Sequence, residues 1–594
     1  MLAARGLQGV SSEVMKPLLT CRYLLIVACL ILCVGAAVAQ SPQLEINTAD
    51  AQLSTNIRAH LRLPPISCTS DELQLARTLR SRMASLDNAV QRASQALGYY
   101  VAQTQISLSK TSECWLLSVS VDAGEPLVIK ALTLSIAADA ELFANTLNSL
   151  SISEGAQLNH EDYEAAKAEL AARAFDLGFL DARYTLARLS IDKTQREASV
   201  ELALDPGLRH RFGKIYFNTG GALSDDFVKR FVTFSEGDFY SPQKLLDLRG
   251  ALNDSQYFSD ISIAPRINAR EGSHVPIDIA MTSRPRRVYE YGAGITTDTG
   301  PRISGYYEDR FRNPSGHRLN ASTSLSPIQR SLDADYLIPL ANPTMENLRV
   351  SAGWIEENTD TFDSRSYRTS IAYTFVNRSN WRQSYFTNYR HDEFEVNGIR
   401  ETSDLLIPGL SITKTQSDNA LVPNNGWQLF AQVRGASTAL LASETFLQLN
   451  LNGKWITPLG RARFISRFEL GTTFADSIAE LPVSIQYFTG GDQSIRGYDY
   501  KSIGVLDSEG LISGGKSLAV ASLEVDFAIS EKWRLAAFTD FGNAFDDLNR
   551  LNLNQSAGIG IRWISPIGPI RVDLARPLDG GESVRLHLSM GPDL

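Results

Sequence analysis

The residues best suited to a specific charged contact are an arginine in a long loop and two carboxylates in nearby strands. Arg496 stands in the stretch "GGDQSIRGYDY", where Gly497 allows a close backbone approach and the arginine offers a rigid fork of donors. Asp540 lies in the strand-like stretch "FTDFG", and Glu524 lies in the strand-like segment before it. If both carboxylates face the inside of the fold, Arg496 can fold in and pair with Asp540, with Glu524 or with both.

Residue patterns typical of enzymes are not convincing in this chain. The segment "GLISGGKS", residues 510–517, fits the phosphate-binding pattern G-x-x-x-x-G-K-[ST], but it runs into the alternating stretch "LAVASLEVDFAIS" where a phosphate loop needs a helix. The 7 histidines show no metal-ligand spacing, and no nucleophile elbow occurs. We therefore expect no enzyme activity, no cofactor and no metal site.

The second half of the sequence is typical of a long antiparallel sheet. From about Val288, apolar and polar residues alternate in short segments such as "LQLNLN", "RARFISRFEL" and "VRLHLSM". A soluble sandwich would also alternate, but Arg463 and Arg467 are too polar for a packed inner face. An apolar exterior facing lipid and a polar lumen explain the pattern. Roughly 300 residues, at about 19 per strand and connection, predict a transmembrane antiparallel β-barrel of about 16 strands over residues 287–594.

Two features of this barrel are expected to matter for function. A gap of about 43 residues separates the strand ending near Leu470 from the strand beginning near Lys516, and loops that long are usually functional or disordered. The first strand, residues 288–297, contains Gly292 and Gly294, which weaken packing and strand propensity. These glycines indicate either a weak seam against the last strand or a bend in a closed barrel.

The first half of the sequence contains a repeat of about 80 residues. Segments beginning at Ser153 and Ser235 each combine a Ser-Glu-Gly turn, an apolar helical stripe, an aromatic pair and a strand-like stretch. The stripes are Tyr163, Ala166, Leu170, Ala174 and Leu177 in one, and Leu245, Leu248 and Leu252 in the other. A fainter copy lies upstream and ends near Gly98. The repeat predicts three tandem α+β modules, at residues 40–125, 126–207 and 208–286.

The N-terminus and the composition predict an exported membrane protein. The apolar run 23–38 follows two basic residues and ends in an A-x-A-like site, so residues 1–39 are typical of a signal peptide. A membrane anchor and lipoprotein cleavage before Cys29 are the alternatives, and Met15 is an alternative start. With 43% hydrophobic and 21% charged residues the chain does not suit a helical membrane protein. A net charge of -9 without a long basic run argues against a nucleic-acid partner.

Two cysteines remain after the predicted signal peptide, Cys68 and Cys114. The other cysteines all lie within residues 1–39. In an oxidising compartment the remaining pair suggests one disulfide, and the alternative is two buried free thiols.

The modules, the barrel and the motifs of its loop and strands together resemble the BamA/TamA superfamily of outer-membrane assembly proteins. The modules resemble POTRA domains. The family's V-R-G-F/Y loop is similar to Ile495, Arg496, Gly497 and Tyr498, with isoleucine in place of valine. Its F-x-D-x-G strand motif is similar to Phe538, Asp540 and Gly542, and its G-G…E segment is similar to Gly514, Gly515 and Glu524. Three modules, rather than five or two, favour the TamA branch over the BamA branch and the two-partner-secretion transporters.

The resemblance implies a protein of the bacterial outer membrane, with its modules in the periplasm, that inserts and folds other outer-membrane proteins. It implies unfolded autotransporters as clients, outer-membrane lipid as the surroundings, and a TamB-like partner anchored in the inner membrane. It also implies that Arg496 pins the loop inside the barrel, next to Glu524, Phe538, Asp540 and Gly542.

This function does not require ATP. Extended clients can add as strands to exposed sheet edges of the modules and to the edges of a seam that opens laterally. The alternatives are a general BamA-like assembly factor, a two-partner-secretion-type transporter, and a passive diffusion channel.

Overall fold

The structure is a computed structural model that describes residues 43–61, 72–111, 115–478, 480–506, 510–547, 552–566, 568–579 and 584–591. The chain divides into two compact units, Met1–Arg209 and His210–Leu594. The predicted signal peptide and both cysteines of the predicted pair, Cys68 and Cys114, lie outside the described residues. None of the helices in the described ranges is both long enough and apolar enough to cross a membrane.

The first unit contains two three-stranded sheets with helices packed on them. The strands of the first sheet are β1 (Gln43–Asn47), β2 (Gln103–Lys110) and β3 (Trp115–Asp122), in the order β1-β3-β2. Helices Ala51–His60 and Glu72–Ala96 connect β1 to β2. Asp50 caps the first helix, because its carboxylate accepts the N–H groups of Gln52 and Leu53 at 2.8 and 3.2 Å.

The second sheet of this unit repeats the same arrangement. Its strands are β4 (Val128–Ile136), β5 (Arg183–Asp192) and β6 (Glu197–Asp205), in the order β4-β6-β5. Its helices are Ala144–Ser149 and His160–Asp176. The predicted apolar stripe of the longer helix is buried at Tyr163, Ala166, Leu170 and Ala174. Gly98 and Gly178 follow the helices of the two sheets with φ of 87° and 94°, which a glycine adopts at low cost.

The second unit begins with a third sheet of this kind. Its strands are β7 (Arg211–Asn218), β8 (Phe258–Pro265) and β9 (His274–Ser283), in the order β7-β9-β8. Helix Pro242–Asp254 buries the predicted stripe Leu245, Leu248 and Leu252, and a short helix spans Asp225–Lys229. The described part of the N-terminal half therefore holds three α+β sheets of similar topology.

The rest of the second unit is one antiparallel sheet of sixteen strands, which confirms the predicted strand number. The strands, in sheet order, are β10 (Arg287–Thr296), β11 (Gly300–Asp309), β12 (Arg318–Leu325), β13 (Gln329–Pro339), β14 (Glu346–Asn358), β15 (Phe362–Val376), β16 (Arg382–Val396), β17 (Ile399–Ser417), β18 (Gly426–Ala436), β19 (Phe446–Leu459), β20 (Ala462–Ala475), β23 (Ser517–Ala528), β24 (Trp533–Phe545), β25 (Asn554–Ser565), β26 (Gly568–Pro577) and β27 (Arg585–Met590). The short strands β21 (Val505–Leu506) and β22 (Ile512–Ser513) pair within the connection 476–516, called loop 476–516 below.

The wall of this barrel has its apolar side chains outside and its charged side chains inside. On β23, Leu523 and Val525 are exposed, whereas Ser522, Glu524 and Asp526 are buried. Since strand residues alternate between the two faces, Leu523 and Val525 share the outer face, and Ser522, Glu524 and Asp526 share the lumen. This is the reverse of a soluble core and is the arrangement expected of a barrel surrounded by lipid.

The barrel is nearly closed, and its sheet ends at a seam. The ladder of sheet hydrogen bonds begins at β10 and stops at β27. Across the seam, the N–H of Leu588 donates to Thr297 Oγ1 at 3.2 Å, just beyond the end of β10. The two glycines of β10 differ in their surroundings. A Cβ on Gly292 would lie 2.5 Å from Ser304 Oγ, whereas a Cβ on Gly294 would meet nothing within 4 Å.

The third sheet and its short helix dock on connections between the barrel strands. Tyr257 Oη donates to the carbonyl of Gly316, between β11 and β12, at 2.5 Å. The Arg230 guanidinium donates to the carbonyls of Pro339 and Leu340, at the end of β13, at 3.4 and 3.3 Å. These contacts attach the third sheet to the same part of the barrel wall that carries β10.

Candidate functional site

Arg496 lies inside the barrel and is held by carboxylates of three strands. Its Nε and Nη2 donate to the two oxygens of Asp540 on β24 at 2.8 and 2.9 Å, which is a bidentate pair. Its Nη1 donates to Glu524 on β23 at 2.9 Å and to Asp573 on β26 at 3.1 Å. The Arg496 side chain is 7% exposed. We call these four residues the latch.

The structure brings Arg496 together with both of the carboxylates named from the sequence. The backbone also takes part, since the N–H of Arg496 donates to Asp540 Oδ2 at 3.1 Å. The Phe538 ring lies under the guanidinium, 3.3 Å from its carbon to the ring centroid, in a cation–π arrangement. Gly542, two residues beyond Asp540, faces the backbone of β23 too closely to leave room for a side chain. The motif "FTDFG" thus supplies a carboxylate, a ring and a close strand contact.

Two further arginines balance the charge of the latch. Arg562 on β25 donates to Glu524 at 2.9 Å and is also paired with Asp573. Arg467 on β20 donates to the backbone carbonyl of Ser494 at 2.7 Å and lines the same cavity of about 330 Å³ as Arg496 and Glu524. The three carboxylates of the latch therefore each have at least one arginine beside them, which offsets the cost of burying their charge.

The residues on either side of Arg496 fit the loop to the wall. Ile495 is completely buried, in an apolar cluster with Leu518 and Val520 of β23.

Gly497 has φ of 101°, and a Cβ there would lie 3.3 Å from Pro577 of β26. Its N–H donates to His587 Nε2 at 2.8 Å. Tyr498 Oη donates to Asp579 Oδ2 at 3.0 Å. Glycine at 497 is needed because the backbone turns left-handed against the wall.

A second anchor holds loop 476–516 on the far side of the barrel. Lys501 Nζ lies 2.8 Å from Glu357 Oε1 at the end of β14, and its ammonium faces the rings of Phe362 and Tyr500 at 5.1 and 5.4 Å. Lys501 has a positive φ of 52°, which is uncommon for a residue with a side chain. Since β14 is fifth in the sheet order and the latch involves the twelfth, thirteenth and fifteenth strands, the loop crosses the lumen.

The loop also contacts both edges of the seam. Asp492 accepts a hydrogen bond from Thr297, which follows β10, and it lies against His587 of β27. Loop 476–516 is therefore attached at the latch, at Lys501 and at the seam.

Sequence reasoning named Glu524 and Asp540 but missed four charged partners. Asp573, Arg562, Lys501 and Asp492 carry no motif of their own. Asp573 lies in the alternating stretch "IRVDLARP", where it occupies a polar, lumen-facing position. The position of Asp573 in the alternation of polar and apolar residues is the sequence signal that could have pointed to this residue. The contacts of Lys501 and Asp492 depend on how the loop runs through the lumen, which no local pattern encodes.

Two protein-family models match this chain. Residues 315–593 match the Omp85 superfamily domain. Residues 43–123, which contain the first sheet, match the POTRA domain described as TamA domain 1.

Curated relatives and solved structures agree with these matches. The chain is 23% identical over 448 residues to the outer membrane protein assembly factor BamA of Nitratidesulfovibrio vulgaris, covering 70% of this chain and 55% of the relative. It is 22% identical over 501 residues to BamA of Neisseria meningitidis serogroup B, covering 72% and 62%. The chain thus spans less than two thirds of the length of these relatives. A structure of Haemophilus ducreyi BamA lacking POTRA domains 1–3 matches with a TM-score of 0.65 at 16% identity, over 78% of this chain and 99% of that one, which shows a shared fold.

Proposed function

Since residues 315–593 match the Omp85 superfamily domain and residues 43–123 match a POTRA domain, we propose that this chain is an assembly factor that inserts other β-barrel proteins into the bacterial outer membrane. The observation that carries the proposal is the seam. The sheet begins at β10 and ends at β27 with its ladder interrupted there, so two strand edges are available to an incoming strand. Client strands pair with these edges after the seam opens laterally.

The latch holds loop 476–516 inside the barrel, and a passive channel does not need such a loop. Loop 476–516 fills part of the lumen and is held by buried charge pairs on several strands. A diffusion pore gains nothing from such a plug, whereas an assembly factor needs a lumen that stays sealed while its wall opens. Neither step requires nucleotide hydrolysis, and the proposal includes no enzyme activity.

We extend the proposal to the N-terminal half, where all three α+β sheets act as POTRA modules in the periplasm. Each sheet has two edge strands, such as β1 and β2 in the first, that can accept an extended client. Three modules favour a TamA-like protein with autotransporters as clients and a TamB-like partner anchored in the inner membrane. A general BamA-like factor is the second candidate, because the curated relatives carry that name.

Surface display of an autotransporter tests the proposal. Cells lacking this chain would be complemented with wild type, with Arg496→Ala, or with Arg368→Ala as a matched control. Arg368 is also a lumen arginine paired with a carboxylate, Asp333, but it lies on β15 outside the latch. We expect wild type and the control to restore display, and Arg496→Ala to fail at equal membrane levels. Normal display in cells lacking the chain would remove the main support for an assembly role.

Locking the seam tests lateral opening itself. Cysteines at Thr297 and Leu588, joined directly or by a short bis-thiol linker, would tie β27 to the end of β10. We expect display to stop when the cross-link forms and to return after reduction. If the cross-linked barrel assembles clients at the normal rate, lateral opening is wrong, and single-channel conductance would then test the transporter and channel alternatives.

A further inference from the structure

The turn after the first strand, the last strand and loop 476–516 meet at one side chain, that of Asp492. This carboxylate is 4% exposed, and the neighbouring His587 side chain is 6% exposed. Thr297 Oγ1 donates to Asp492 Oδ1 at 2.7 Å, and His587 Nδ1 lies 2.5 Å from the same oxygen. The N–H of Asp492 donates to the Asp298 carboxylate at 2.9 Å. One loop residue therefore bonds to both sides of the seam.

The hydrogen-bond donors around Asp492 fix the direction of each bond. The N–H of Gly497 donates to His587 Nε2 at 2.8 Å, so Nε2 is an acceptor and the neutral ring carries its proton on Nδ1. Nδ1–H therefore donates to Asp492. On the other side, the N–H of Leu588 donates to Thr297 Oγ1 at 3.2 Å, which leaves the hydroxyl proton of Thr297 for Asp492. The Asp492 carboxylate is the common acceptor of the two edges.

A bound cation does not suit this cluster. Asp298, Asp492 and His587 offer ligand atoms within 4.8 Å of one another, and these residue types bind metals elsewhere. However, Nε2 of His587 already accepts from Gly497, so coordination through Nδ1 would require a ring that has lost both protons. A neutral ring that donates to Asp492 needs no such ionisation, and the cluster is therefore a hydrogen-bonded contact.

The local backbone is shaped for this contact. Gly491 has φ of 106°, and a Cβ there would lie 2.8 Å from Asp298 Oδ2, so a larger residue would push the turn away from the loop. Asp298 lies in the turn outside the strands, where burial and the charge of Asp492 raise its pKa to about 7. A proton held by Asp298 limits the repulsion between the two carboxylates.

We propose that Asp492 is the clasp that holds the seam shut, and that its release from Thr297 and His587 is the step that permits the seam to open. The proposal rests on the proposed lateral opening and adds the residue that controls it. Because Asp492 and Arg496 lie on the same turn of the loop, withdrawing the loop from the latch also releases the clasp. Loop position and seam state are therefore coupled.

Distances across the seam in the purified full-length chain, reconstituted in lipid bilayers, test the clasp. Spin labels would be placed at Ile295 and Leu586, which are 61% and 53% exposed on the outer face. Asp492→Asn keeps the shape of the side chain but removes its charge, so that both donors face a neutral amide oxygen. We expect the ratio of open to closed seam to rise roughly tenfold, as for the loss of a hydrogen bond to a charged group.

Two further variants sharpen the measurement. Asp499→Asn makes the same chemical change in the same loop, but within the described residues Asp499 is paired only with Arg585, on the β27 side of the seam, so we expect the wild-type distances. Thr297→Val removes the clasp bond from the other side, together with the bond from the N–H of Leu588 to Thr297 Oγ1. The double variant with Asp492→Asn should therefore open the seam by less than the sum of the two single effects, because both variants remove the Thr297–Asp492 bond.

The outcomes separate the clasp from the proposed function. If Asp492→Asn gives the wild-type distance distribution, or if a chelator changes the distances in wild type, the clasp is wrong. The assembly role fails by a different result, namely normal client assembly in the chain with a cross-linked seam, whatever the Asp492 variant does.

Discussion

The two sides of the barrel are held together by different kinds of contact. Opposite the seam, all fifteen residues of β16 are paired with β17. At the seam, β27 has six residues, all paired with β26, and its other edge faces β10 without a ladder. Backbone pairing therefore holds the far wall, whereas side chains from loop 476–516 hold the seam. A ladder opens only by losing many bonds together, while side-chain contacts can be released by moving one loop.

The charge pairs of the two sides differ in the same way. In the far wall, Arg390 is paired with Asp392 two residues away on β16, and Arg368 with Asp333 on a neighbouring part of the wall. Near the seam, Arg496 joins a loop to three strands of the wall. The first kind stabilises the wall itself, and the second kind stabilises the position of the loop. Substitutions that break a charge pair within the wall should therefore have a different effect from substitutions that break a pair between the loop and the wall.

The largest expected effect comes from Arg496→Ala. The variant leaves Glu524, Asp540 and Asp573 facing Arg562 and Arg467 with an unpaired buried charge. Loss of one partner of such a buried network costs about 3–5 kcal/mol. We expect the loop to leave the lumen, which hydrogen exchange over residues 490–500 would detect as a large loss of protection. Arg496→Lys keeps the charge without the bidentate fork, so it should lie between alanine and wild type. Unchanged protection in the alanine variant would contradict the latch.

The next largest effect is expected within the wild-type protein, as a difference in amide exchange between the strand at the seam and the strands of the far wall. We expect the amides of β27 to exchange at least roughly a hundredfold faster than those of β16 and β17, because short, singly paired strands open locally. Asp492→Asn should raise exchange further in β27 and leave β16 unchanged. Uniform exchange around the barrel would mean that the seam is as stable as the far wall.

Much of the barrel and part of the latch could be predicted from the sequence. Strand period fixes the side on which each residue lies, so stretches such as "RARFISRFEL" reveal the strands and their lumen-facing charges. Glu524 and Asp540 could be named because both occupy lumen-facing positions near a loop that carries an arginine. The alternation of polar and apolar residues does not show which lumen-facing charged residues pair with one another, because the pairing depends on sheet closure and on the path of the loop. For this reason the sequence left the choice between Asp540 and Glu524 open, while the structure has Arg496 on both and on Asp573.

A smaller effect is expected at the far anchor, from Lys501→Met. The Lys501 and Glu357 side chains are 29% and 12% exposed, so water weakens their pair and its loss should cost about 1 kcal/mol. We expect residues 499–502 to lose protection in hydrogen exchange while residues 494–497 keep theirs, because the latch is intact. The exchanged pair Lys501→Glu with Glu357→Lys should recover part of the protection. Equal losses at both ends would show that the loop moves as one rigid piece.

Closure of the seam should also depend on pH through Asp298. The closed seam raises the pKa of this carboxyl from 3.8 to about 7, mainly by burial and then by the charge of Asp492. The protonated form is thus favoured when the seam is closed, and opening returns the pKa toward its ordinary value. The contribution of Asp298 to closure is complete below about pH 4 and is lost as the pH rises through about 7.

We therefore expect the open fraction of the labelled seam to grow between pH 4 and pH 7 in wild type. Asp298→Asn is neutral at every pH, so it should remove this part of the dependence and keep the seam closed at neutral pH. Asp492, His587 and Tyr500 also face this carboxyl, and any dependence that remains in Asp298→Asn belongs to them. A wild-type pH profile in Asp298→Asn would show that this carboxylate does not control the seam, and the contrast between the two sides of the barrel would then rest on Asp492 and the latch alone.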